Sequence, residues 1–206
     1  MTTIETPHGA ARVISYPAAG SRSLVLTHGA GSGIEAVDLQ VLADHLPPQG
    51  ISVHLVELPW VVAGKKVAPS PRIIDESYAA VLKALALVDP VIGGRSAGAR
   101  SACRISTYVP TSGVLALSFP LHPPGKPEQS RLSELDLVEV PTLVVQGESD
   151  SFGRPSEFPS ETVLTAVPGA DHAMKVAKKG GISQEDALAL ILEAVLEWMG
   201  NLPANP

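Results

Sequence analysis

The stretch that most limits how this chain can fold runs from Pro90 to Tyr108. An apolar run, Pro90 to Ile92, leads into Gly93-Gly94-Arg95-Ser96-Ala97-Gly98, and a helix-like segment from Ala99 to Tyr108 follows. The pentapeptide Gly94 to Gly98 has the form G-x-S-x-G. In a strand–turn–helix this tight, the apical residue takes a strained backbone conformation, and side chains two places to either side collide with strand or helix. Glycine at both places relieves the crowding. Such a turn presents the Ser96 hydroxyl at the carboxyl end of a strand, above the positive end of the next helix. Taken alone, the pentapeptide equally fits a glycine-loosened turn with no chemistry, so the flanking chain has to decide.

That flanking chain alternates strands and helices. Ala11 to Tyr16 reads as a strand that pairs with Thr3 to Thr6 across Pro7-His8-Gly9. Ser23 to Thr27 is a short buried strand running into His28-Gly29-Ala30-Gly31-Ser32-Gly33. A helix is expected from about Glu35 to Leu46, stopped by Pro47-Pro48. The strand Ile51 to Leu58 is followed by a loop from Pro59 to Pro71, then by an amphipathic helix from Ser77 to Val88. Beyond the glycine turn come the strand Gly113 to Phe119 and an irregular connection, Pro120 to Val140, with one helical piece around Arg131 to Leu137. Strands Pro141 to Gln146 and Thr162 to Val167 follow, and a helix from Glu185 to Met199 with Ser183 as N-cap closes the pattern. Short apolar strands separated by helices imply an α/β fold in three layers, with a mostly parallel sheet and helices on both faces. Residues 1 to 206 are of single-domain size.

Composition excludes several classes of partner. A net charge of −6 without any basic run argues against nucleic acid and anionic membrane. No window reaches the roughly 18 consecutive apolar residues of a membrane span. The amino terminus lacks the pattern of a signal peptide, and the lone Cys103 forms no internal disulfide, so the expected location is cytoplasmic. No histidine and carboxylate set has metal-ligand spacing, and neither metal nor cofactor is expected.

In a parallel sheet, ligands gather at the carboxyl ends of the strands. The loops there carry His28-Gly29-Ala30-Gly31, Ser96, Asp150 and His172. A serine hydroxyl becomes nucleophilic when a base takes its proton, and that base needs a carboxylate to fix its tautomer. Ser96, His172 and Asp150 are the candidates for the three roles. Glu148, on the same side of an extended chain as Asp150, is its rival. The amides of Ala97 and Ala30 are the candidate oxyanion donors. Asp171 adjoins His172 but diverges from it and suits a loop-shaping role. His28 and Gly29 in the glycine loop, and His122 at the mouth, either meet substrate or pack the loops. Arg95 either clamps a substrate carboxylate or reaches a protein carboxylate such as Glu57 on a neighbouring strand. His8, His45, His54 and Cys103 read as ordinary core or surface residues.

Five segments together resemble a known family. They are His28 to Gly31, Gly93 to Arg100, Phe119 to Pro127, Gln146 to Asp150 and Gly169 to His172. From about residue 10 to 200 the chain resembles the α/β-hydrolase superfamily, specifically its small cap-less members similar to dienelactone hydrolase. Within it, these motifs look like a group of bacterial predicted hydrolases that also includes a testis-expressed protein and a subunit of a chromatin acetyltransferase complex. The resemblance implies an α/β-hydrolase fold without a cap domain and a triad of Ser96, Asp150 and His172, in the chain order of that superfamily. Dienelactone hydrolase itself uses a cysteine nucleophile, whereas serine stands here. The function expected is a serine hydrolase of small soluble esters or thioesters, acting as a monomer or weak homodimer. A non-catalytic interaction module and a small peptidase are the alternatives.

Overall fold

The computed structural model describes residues 1–177 and 181–203. Its centre is an eight-stranded sheet: β1 (Thr2–Thr6), β2 (Gly9–Tyr16), β3 (Arg22–Thr27), β4 (Ile51–Glu57), β5 (Val91–Arg95), β6 (Gly113–Leu117), β7 (Thr142–Gly147) and β8 (Leu164–Val167). The spatial order is β1-β2-β4-β3-β5-β6-β7-β8. The pairs β1–β2 and β2–β4 are antiparallel, and every other pair is parallel. β5 and β6 are buried along their whole length, as strands covered by helices on both faces must be.

Among the described residues six α-helices accompany the sheet: α1 (Val37–His45), α2 (Pro59–Val62), α3 (Pro71–Leu85), α4 (Ala97–Ile105), α5 (Leu132–Leu135) and α6 (Gln184–Asn201). Two cores result, one on each face of the sheet. Leu39 and Leu42 of α1 and Ile191 and Val195 of α6 pack on one face. Tyr78 and Val81 of α3 and Ala99 and Cys103 of α4 pack on the other. At the amino end of α6 the predicted Ser183 cap is present: its hydroxyl accepts from the Asp186 amide, and the Asp186 carboxylate accepts from the Ser183 amide. At the carboxyl end, the Arg22 guanidinium of β3 donates to the carbonyls of Met199 and Leu202, tying the last helix to the sheet centre.

Two expectations need correction. The segment expected as a loop after Glu57 contains the short helix α2, and α3 begins at Pro71 rather than Ser77. The six residues from Pro71 to Glu76 lack a clean apolar stripe, yet Pro71 occupies the first helical position, where its fixed φ and missing N–H cost nothing. The same helix stops at Leu85, because Ala86 takes a left-handed conformation at φ 50°.

The order of strands also locates the site. After β3 the chain steps out to β4, then crosses back to place β5 on the other side of β3. The carboxyl ends of β3 and β5 therefore flank the point where the winding reverses, which is where open α/β sheets leave a crevice. The elbow helix α4 is tied to α3 and α5 by ion pairs. Arg104 binds Asp75 of α3 through Nε and Nη2 at 2.8 and 2.7 Å and Glu134 of α5 at 2.9 Å, and Arg100 also grips Glu134. No helix among the described residues is long and apolar enough to cross a membrane.

Candidate active site

β5 delivers Ser96 into the crevice at φ 55° and ψ −111°, a strained conformation for a residue with a side chain. The glycines on either side permit it. A Cβ at Gly94 would meet the Thr27 carbonyl oxygen at 2.6 Å, and one at Gly98 would meet the His28 carbonyl oxygen at 2.8 Å. β3 and the elbow are thus in backbone-to-backbone contact, and the loop after β3 lies directly against the serine.

His172 comes from the loop after β8 and Asp150 from the loop after β7. The His172 Nδ1 lies 2.8 Å from Asp150 Oδ2, and its Nε2 lies 3.0 Å from Ser96 Oγ. A carboxylate only accepts, so Nδ1 carries the proton and Nε2 is left to accept from the Ser96 hydroxyl. Asp150 is almost fully buried and is fixed from two more sides. The Phe152 amide donates to Oδ1 at 2.8 Å, and the Gln146 side-chain amide donates to Oδ2 at 2.9 Å. The Phe152 ring stacks on His172 with centroids 4.2 Å apart and planes at 29°. Phe152 and Gln146 escaped the sequence reading because an aromatic loop residue and a strand glutamine carry no local signal of this use.

The rival groups are engaged elsewhere. Glu148 accepts from the Gly169 amide at 3.2 Å. Asp171 accepts from the amides of Ala173 and Lys175, folding the histidine loop. His28 is fully buried: its Nδ1 bonds the Gly29 carbonyl at 2.8 Å, its Nε2 accepts from the Leu58 amide at 3.0 Å, and Trp60 packs edge-on at 4.9 Å. Burial lowers the pKa of its imidazole, and with Nε2 accepting a hydrogen bond the ring is neutral. His122 lies between the Pro123 carbonyl and the Glu157 carboxylate, each at 2.9 Å, and those acceptors raise its pKa. Neither ring lines the cavity at Ser96. Cys103 is buried in α4, where desolvation pushes its thiol up to about 12.

Arg95 does not reach Glu57. β3 lies between their strands, and Glu57 instead pairs with Arg12 at 2.8 Å, its register partner on β2. The Arg95 guanidinium turns toward α1, where Nε donates to Asp38 Oδ2 at 3.0 Å. Nothing in the sequence marked Asp38, which looks like any acidic residue in a first helical turn.

Around Ser96 lies an open cavity of about 800 Å³. Gly29, Ala30, Gly31, Arg95, Phe152 and His172 are among the residues that line it. The Ala97 and Ala30 amides find no acceptor among the described residues.

Residues 20–200 match the model of the alpha/beta hydrolase domain. The chain belongs to the alpha/beta hydrolase family. Its solved structural neighbours agree in fold at low identity. A serine hydrolase without lid from Xanthomonas campestris superposes with a TM-score of 0.74 at 18% identity, over 100% of this chain and 95% of that one. A dienelactone hydrolase from Anabaena variabilis gives 0.72 at 15%, over 98% and 97%. Est1E from Butyrivibrio proteoclasticus gives 0.74 at 13%, over 97% and 99%. In this hydrolase, as the sequence implies, no cap domain interrupts the sheet: between β6 and β7 only the four-residue α5 intervenes.

Proposed function

We propose that this hydrolase is a serine carboxylesterase that cleaves small soluble esters or thioesters through an acyl-enzyme at Ser96. The observation that carries the reading is the unbroken line from Asp150 Oδ2 through His172 to Ser96 Oγ, at 2.8 and 3.0 Å, opening into the cavity. His172 Nε2 takes the hydroxyl proton as Oγ attacks the acyl carbonyl carbon, and Asp150 stabilises the imidazolium that forms. The carbonyl oxygen becomes an oxyanion and receives the amides of Ala97 and Ala30. As the tetrahedral species collapses, the bond to the leaving alcohol or thiol breaks and His172 returns the proton to it. Water then repeats the sequence, with His172 as base, and releases the acid from Ser96.

The cavity supports the substrate class. Its volume is in the range that holds small ligands, and without a cap it stays open to water, which suits short soluble acyl groups rather than long chains. The test is labelling with a fluorophosphonate probe, followed by turnover of short-chain p-nitrophenyl esters. Wild type should label and turn over. Ser96→Ala should do neither while melting close to wild type, because one partly exposed oxygen is removed. A folded wild type that never labels would overturn the reading and favour a non-catalytic interaction module.

A further inference from the structure

The residue immediately before Ser96 links helix α1, the glycine loop and the loop that carries His172. Arg95 is 6% exposed and Asp38, its partner on α1, is 0% exposed. Asp38 also accepts from the Leu39 amide at 3.0 Å, so its position is fixed by its own helix. From that anchor the guanidinium fork spreads two ways. Nη1 donates to Ser32 Oγ in the glycine loop at 3.3 Å, and Nη2 donates to the backbone carbonyl of His172. Among the described residues, no other group bonds the backbone of His172. The loop on either side is held through Asp171 and the imidazole through Asp150, but the backbone of His172 is held by Arg95.

We propose that Arg95, anchored by Asp38, is the positioning residue of the site: one planar fork fixes His172 relative to Ser96 and holds the loop that carries the Ala30 amide. This rests on the esterase reading for its kinetic consequence. Only a guanidinium meets the demand, since its donors diverge rigidly in one plane while an ammonium is a point charge that cannot span three acceptors. With Asp38, Ser32 and His172 occupying it, and little of its surface open to the cavity, Arg95 is poorly placed to clamp a substrate carboxylate.

The deciding variant is Arg95→Lys, which keeps a cation opposite Asp38 but loses the fork. A misplacement near 1 Å at the reacting groups costs about a hundredfold in rate. The expected result is therefore a kcat lowered about ten- to a hundredfold, with KM changed by less than about twofold for a neutral ester and for one bearing a free carboxylate alike. Asp38→Leu combined with Arg95→Met removes both charges and strands neither, so it should fold and show the same loss of kcat. Unchanged kcat in either folded variant overturns the proposal, as does a KM that rises for the carboxylate ester alone. A readout independent of turnover is the downfield proton resonance of His172 Nδ1–H, which should broaden or vanish in Arg95→Lys. If wild type fails to label with fluorophosphonate, the esterase reading falls, and this resonance still decides the positioning role. Its persistence unchanged would refute it.

Discussion

Gly98→Ala gives a direct measure of how closely the elbow is packed. The added Cβ would stand 2.8 Å from the His28 carbonyl oxygen, from Thr27 Cγ2 and from the Thr27 carbonyl oxygen. Ordinary contact begins near 3.4 Å, so α4 and the end of β3 must separate by about 0.6 Å. Two of the three obstacles are backbone carbonyls, one at the end of β3 and one in the residue after it, and cannot rotate aside. Overpacking of this kind costs about 2–3 kcal/mol. In a domain of this size that lowers the melting temperature by about 4–12 °C. The displaced carbonyl lies two residues before Ala30, so kcat should also fall about tenfold or more. Gly31→Ala is the matched control, since nothing lies within 4 Å of its added Cβ. It should shift stability by less than about 0.5 kcal/mol. Thermal unfolding followed by circular dichroism, paired with ester turnover, reads both effects. A Gly98→Ala protein melting within about 1 °C of wild type, or a Gly31→Ala protein falling as far, would refute the packing account.

Asp150→Asn should lower kcat about 10³- to 10⁴-fold by favouring the wrong His172 tautomer, whereas Glu148→Gln should leave it near wild type; the reverse ranking in one ester assay would reassign the carboxylate. The pair His122–Glu157 predicts a pH-dependent stability. Because the Pro123 carbonyl and Glu157 raise the folded pKa of His122, its contribution is complete below the unfolded value near 6.5 and is lost as pH rises through the folded value. His28 and His54, lowered by burial, act with the opposite sign, so the test compares melting temperatures of wild type and His122→Asn across pH 5 to 9, roughly the range in which histidines titrate. The difference should be largest at the acid end. Cys103, buried and with its thiol near 12, should resist maleimide in the native protein at about pH 8 and react only on unfolding.

The features legible in the sequence are those written in local periodicity and in glycine placement. The alternation of short apolar strands with helices gave the layered sheet, and Gly94, Ser96 and Gly98 gave the turn, because each is a constraint between residues a few places apart. The Ser183–Asp186 cap was readable for the same reason. Arg95 and Asp38 are 57 residues apart, and their pairing depends on how α1 docks on the sheet, which no local pattern encodes. Glu57 was the natural guess only as long as β4 and β5 were taken as neighbours. The strand order puts β3 between them. Gln146 and Phe152 were invisible because their use depends on how the loop after β7 turns back on its own strand, with the Gln146 amide reaching Gly153 seven residues on.

The grip of Arg22 on the carbonyls of Met199 and Leu202 bears on when activity first arises as the chain is made. Synthesis lays down the nucleophile at residue 96 long before the carboxylate at 150 and the base at 172, and these ride on strands added successively toward one edge of the sheet. A nascent chain with β3, β5 and α4 in place already owns an elbow, but it has a hydroxyl with no base and is chemically inert. The base arrives with the edge strand β8, and β8 is covered only when α6 docks on its face. Arg22 of the third strand clasps the end of that last helix, so under the proposed mechanism the relay from Asp150 to Ser96 closes once α6 has docked.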